Sequence, residues 1–102
     1  MIAFYMAFID DEDDREKFEI IYNEYRKRMV STAYSILRNH EDAEDAVHEA
    51  FIRIAKNMKA IDDPKSKKTL AYVITATKKY SLQGTTQGRY LTGGVPPVRF
   101  SM

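Results

Sequence analysis

Cysteine and tryptophan are absent from this 102-residue chain, no glycine occurs before Gly84, and only one proline, Pro64, precedes residue 96. Without cysteine there are no disulfides, no thiolate metal sites and no thiol nucleophile. His40 and His48 are the only histidines, and no second ligand pair stands at zinc-site spacing from them. The longest apolar run, MIAFYMAFI at the N-terminus, is well short of the roughly 20 residues a membrane helix needs. The acids of DDEDD follow it at once. A secretory signal would place basic residues before such a run and small residues at a cleavage site after it. The expectation is a cytoplasmic protein with no membrane partner. There is also no P-loop, no Gly-rich loop opening a helix and no Ser/His/Asp or Cys/His set, so neither an enzyme nor a cofactor is expected.

What is present is charge and helical period. Hydrophobic residues make up 44% of the chain, enough for one core, and the formal net charge of +1 hides a division. Residues 1–55 hold seven Lys or Arg against thirteen acids, a net −6, whereas residues 56–102 hold nine against two, a net +7. Such a split suits two kinds of partner, one basic and one anionic, although short chains also reach it by chance.

Phe18, Ile21, Tyr22, Tyr25, Met29, Ala33, Ile36 and Leu37 recur at three- and four-residue spacing, which predicts a long amphipathic helix over about 14–38. Acids from Asp10 to Asp14 suit its N-terminal end. Asn39 suits the cap of a second helix, about 40–59, with Ala43, Ala46, Val47, Ala50, Phe51, Ile54 and Met58 on its buried side. Ile61-Asp62-Asp63-Pro64 reads as a turn, with Asp63 as cap and Pro64 at the first position of a third helix, about 64–79. That helix is expected to turn Leu70, Val73, Ile74 and Thr77 inward. Residues 80–102 contain all four glycines and two of the three prolines, and read as an irregular tail. The fold class is all-α, a small bundle of three main helices, with an N-terminal extension over 1–13, a helical domain over 14–79 and the tail over 80–102.

The second helix carries the one unusual feature. Its opening acids, Glu41, Asp42, Glu44 and Asp45, are explained by the helix dipole alone. Glu49 lies beyond the first turn and is not. Ile52 points about 140° away from the buried arc centred on Val47 at ~100° per residue, beside Asp45 and Glu49. A single exposed isoleucine is ordinary. One flanked by carboxylates resembles a small interface, an apolar anchor with a charged rim.

FEIIYNEYRKRMVSTAYSILRNHEDAEDAVHEAFIRI, the IDDP turn and TLAYVITATK together resemble the second conserved region of bacterial sigma factors. The likeness is strongest to the short extracytoplasmic-function (ECF) type of the sigma-70 family, and it runs from about Phe18 to Lys78. The resemblance implies a helical domain that binds core RNA polymerase and takes part in promoter recognition and opening. By position, the helix over Asp42–Lys56 would dock on a basic coiled coil of the β′ subunit. Its contacts would be Asp45, His48, Glu49 and Ile52, with Asp42 and Arg53 near the rim. His48 stands where glutamine is more usual in the family.

The helix after Pro64 would lead into the part that meets the −10 promoter element and helps separate the strands. Lys67, Lys68, Tyr72 and Lys78 are the candidates there for phosphates and unstacked bases, each with an ordinary reading as solvated charge or core. After Lys79 the family pattern is not followed, and the helix-turn-helix domain that reads the upstream promoter element is not seen. The expectation is an altered or truncated sigma factor that docks on polymerase and is impaired in reading DNA. The alternative is a non-initiating interaction module, a decoy for core polymerase or a partner of an anti-sigma factor. A homodimer is a further state open to a lone bundle.

Overall fold

A computed structural model describes residues 2–84 of the chain. Four helices follow in order: α1 (Ile2–Met6), α2 (Glu12–Leu37), α3 (His40–Lys56) and α4 (Lys67–Gly84), with a short 3₁₀ turn at Met58–Ala60. Among the described residues there is no strand, and α2, α3 and α4 all pack against one another. The all-α bundle of three main helices expected from the periodicity is the fold observed. The short α1 in the N-terminal extension is an addition to it.

Local chemistry sets the ends of these helices. At the start of α2, the Asp11 carboxylate accepts from Asp13 N at 2.7 Å, and Glu12, Asp13 and Asp14 fill the first turn. Its last turn closes on Arg38 in the left-handed region (φ 57), whose N–H donates to Tyr34 O at 2.8 Å. The extended Asn39 then accepts from Asp42 N at 3.0 Å and caps α3, as its side chain predicts. With only Arg38 and Asn39 between them, α2 and α3 form a tight helical hairpin.

The buried arc of α3 is Ala43, Ala46, Val47, Ala50, Phe51, Ile54 and Ala55, followed by Met58 in the 3₁₀ turn. Four of the seven α3 residues are alanine, which lets the neighbouring helices approach closely. Opposite it, α2 buries Phe18, Ile21, Tyr25, Met29 and Ala33 completely, with Tyr22 and Leu37 partly buried against the core.

The start of α4 differs from expectation. Pro64 lies in the turn before the helix, not in its first position, because two side chains set the entry one residue after another. Asp63 Oδ1 accepts from Lys65 N at 3.0 Å, and Ser66 Oγ accepts from Thr69 N at 3.2 Å, so the first helical residue is Lys67. The far end differs too, since the helix runs through Tyr80 and Ser81 to Gly84. The inward residues are Thr69, Val73, Ala76, Thr77 and Ser81, whereas Leu70 and Ile74 are half-buried. Thr77 and Ser81 are fully buried, and each hydroxyl donates to the carbonyl four residues back, at 2.9 and 2.7 Å. The rest of the expected tail, 85–102, lies outside the described residues.

Three links hold the N-terminal part in place. Arg15 Nε donates to Ile9 O at 2.8 Å, and Lys59 Nζ bridges Asp11 and Asp14 at 3.0 and 2.9 Å. The two hydrogen-bonded carboxylates hold the Lys59 ammonium above its usual pKa, and Lys59 in turn holds Asp11 below the ordinary carboxylate value. The third link is apolar. Tyr5 and Ile9 are 2% and 3% exposed, and burying each contributes roughly 1.5–3 kcal/mol. Phe51 lies at the centre of this packing, so Phe51→Ala should lower stability by about 3–5 kcal/mol, read as a fall in the urea midpoint with the slope unchanged.

Candidate docking face and cleft

The outward side of α3 is where the six candidate docking residues lie, and the structure divides them. Asp45, Glu49 and Arg53 are exposed, while Asp42, His48 and Ile52 are half-buried. Ile52 was expected to stand out into solvent. It is instead partly packed against the hydrophobic core, so the apolar anchor is a shoulder of the core and not an isolated side chain.

The same face also meets α1, which periodicity within α3 could not reveal. The Tyr5 hydroxyl and His48 Nδ1 share a 2.7 Å hydrogen bond, and the Phe4 ring stacks on the His48 ring with centroids 5.3 Å apart. Phe8 lies under Lys56, whose Nζ is 5.2 Å from the ring centroid. His48 is therefore a partner of α1 on one edge of the face. Tyr5 also packs against Phe18, Tyr22 and Phe51 at 5.6, 6.1 and 5.4 Å. Burial pushes its phenol pKa up to about 12, with Tyr22 and Glu49 adding to the rise and Arg26 opposing it.

The second candidate region lies beside the C-terminal end of α3. Where α3 ends, the 3₁₀ turn and the first turns of α4 enclose a cleft of about 540 Å³, and Arg53, Asn57, Asp63, Lys68 and Tyr72 are among its walls. Its polar framework is fixed locally, since Thr69 Oγ1 donates to Asp63 O at 2.6 Å and Asn57 Nδ2 donates to Arg53 O at 2.9 Å. Tyr72 is half-buried at the cleft, and burial raises its phenol pKa, while Arg53 and a side-chain hydrogen bond to Asn57 pull it down.

Of the four candidate DNA-facing residues, the structure brings Lys68 and Tyr72 into this cleft together. Lys67 and Lys78 are exposed but do not line it. At ~100° per residue, Lys67, Lys68, Lys78 and Lys79 share an arc of about 120° on the outer side of α4. Arg53 was read as a docking rim residue, and it is also a wall of the cleft. Arg53 and Asn57 were legible as an i, i+4 pair, but nothing in their spacing signalled a concavity. Among the described residues no group of three or more His, Asp or Glu is placed to hold a metal ion, and no helix is long and apolar enough to cross a membrane.

The family model for sigma-70 region 2 matches residues 21–85, well over half of the chain, and the chain belongs to that family. The match takes in all of α3 and α4 and most of α2, and leaves α1 outside it. Members of the family are transcription initiation factors, not enzymes, that interact with core RNA polymerase and promoter DNA. No individual curated protein and no solved structure matches the chain.

The seat of α1 has a pH signature. The fold binds the Tyr5 proton more tightly than the unfolded chain does, so this stabilisation is complete below pH ~10 and is lost as the pH rises through about 12. An ultraviolet difference titration of wild type against Tyr5→Phe should show one late-ionising phenol missing from the variant. A Tyr5 that ionises with the ordinary tyrosines would mean that α1 is not seated.

Proposed function

We propose that the chain is an ECF-type initiation factor domain that docks on the β′ coiled coil of core RNA polymerase through the outer face of α3. Asp45 and Glu49 supply the charge, Ile52 the apolar anchor, and Asp42, His48 and Arg53 the margins. The observation that carries this reading is the pairing of exposed Asp45 and Glu49 with a half-buried Ile52 on a helix wholly inside the family match. Carboxylates left in solvent on a helix interior, beside apolar surface, suit a basic partner that brings its own apolar contacts. Binding in this mode weakens with salt, because exposed charges are screened beyond a Debye length of about 8 Å at physiological ionic strength.

The DNA side of the proposal assigns the lysines of α4 to phosphates and the cleft at Lys68 and Tyr72 to a base of the opened −10 element. The cleft is within the size range of small-ligand sites, and a half-buried tyrosine offers a ring for stacking. Residues 86–102 lie outside the family match, and this favours a second reading in which the chain binds polymerase without initiating, as a decoy or as an anti-sigma partner.

Asp45→Lys or Glu49→Lys should each weaken core polymerase binding by about tenfold or more, measured by biolayer interferometry. Equal affinity in wild type and both variants would remove the α3 face from consideration. Transcription from a supercoiled template then separates the two readings, since specific initiation supports the first and binding without initiation the second. Replacing both Lys67 and Lys78 by alanine should flatten the log–log salt dependence of single-stranded −10 oligonucleotide binding by about 0.7 per lysine. An unchanged slope would take both lysines away from the phosphates.

A further inference from the structure

We propose that α1 completes the docking face, with Phe4 and Phe8 adding to Ile52 an apolar ridge that meets the same basic, helical surface of core RNA polymerase. This rests on the docking role proposed for α3. His48, Ile52 and Lys56 follow one another at four-residue spacing along a single ridge of α3. Phe4 stacks on the first of them and Phe8 lies under the last, so the two rings meet the residues one turn before and one turn after Ile52. The rings also touch each other edge to face, with centroids 5.7 Å apart.

Both rings remain in solvent, Phe4 at 49% and Phe8 at 39% exposure. Two exposed phenylalanines, one in α1 and one in the turn after it, stand against the ridge of α3 that carries the half-buried isoleucine. Asp45 and Glu49 run along its other side. The result has the layout of a protein interface, apolar at the middle and charged at the margin, and the acids select a basic partner.

The alternative arrangement is that α1 masks the face and leaves on docking. Tyr5 and Ile9 argue against it, because both are almost fully buried and Tyr5 sits among Phe18, Tyr22 and Phe51. Departure of α1 would uncover the centre of the core. A segment held in this way is a fixed part of the surface. Phe4 and Phe8 also lie outside the residues matched by the family model.

The experiment compares core polymerase binding by the full chain, the double variant Phe4→Ala/Phe8→Ala, and Glu49→Lys, with circular dichroism and Tyr5 ionisation as controls. The double variant should bind about tenfold more weakly while keeping its helix content and the late Tyr5 ionisation. If it loses that ionisation, Phe4→Leu/Phe8→Leu decides the point: leucine keeps the apolar bulk, and affinity restored to within about threefold of wild type supports the ridge, whereas no recovery overturns it. Wild-type affinity in the alanine variant overturns the role of α1, and leaves the α3 face standing if Glu49→Lys still weakens binding. Tighter binding would show masking and also overturns it. Failure of the wild type to bind core polymerase removes the docking reading and this one together. A wild-type dimer in sedimentation that the alanine variant dissolves would assign the ridge to a second copy of the chain, against the proposal.

Discussion

Everything else in this bundle depends on how Phe51 is packed. Its ring lies 4.9 Å from Tyr22, 5.4 Å from Tyr5 and 5.8 Å from Phe18, so α1, α2 and α3 converge on one aromatic contact. Tilted and edge-to-face rings of this kind are worth about 0.5–1.5 kcal/mol per pair beyond the area they bury. The geometry matters more than the energy. Phe51 fixes the rotation of α3 about its own axis, and that rotation decides that Asp45 and Glu49 face outward, that Ile52 lies at the boundary and that Arg53 reaches the cleft. A change of about 100°, one residue's worth of turn, would exchange these roles.

How much of this was legible in the sequence follows from how local each cause is. The junction of α2 and α3 was readable, because Asn39 caps by its own side chain and the alanine-rich arc of α3 repeats at helical spacing, although α3 ends at Lys56 and a 3₁₀ turn takes the place of its expected last residues. The limits of α4 were not. Pro64 is a strong start signal, but Asp63 and Ser66 accept from the N–H groups of Lys65 and Thr69, both beyond it, and the helix begins at Lys67. At the other end, Tyr80 and Ser81 carry no apolar period. Ser81 is nevertheless buried, and its hydroxyl donates to a carbonyl within its own helix. A rule that reads only apolar spacing ends the helix too early.

The candidate site divides the same way. The acids of α3 and the lysines of α4 are surface features that a helical wheel places well. The partner of His48 is not of that kind, because Tyr5 is 43 residues away in the chain and meets it only once α1 has folded back over Phe18 and Phe51. The neighbours of Ile52 on its own helix predict a solvent-exposed side chain, whereas its partial burial comes from the core that several helices build together. The cleft was missed for a related reason, since its walls come from α3, the 3₁₀ turn and α4.

The division of charge along the chain finds its explanation in this arrangement. Acidic and basic halves of a small bundle would ordinarily attract and pair, and here the exposed ammonium of Lys59 does so with Asp11 and Asp14. The acids of α3 and the lysines of α4 are kept apart by the packing itself. Each helix turns its apolar arc to the other, so the charged arcs point away from the contact between them. Two surfaces of opposite sign therefore lie on adjacent helices that share one core, and Arg53, on α3 and in the wall of the cleft, stands on the border between them.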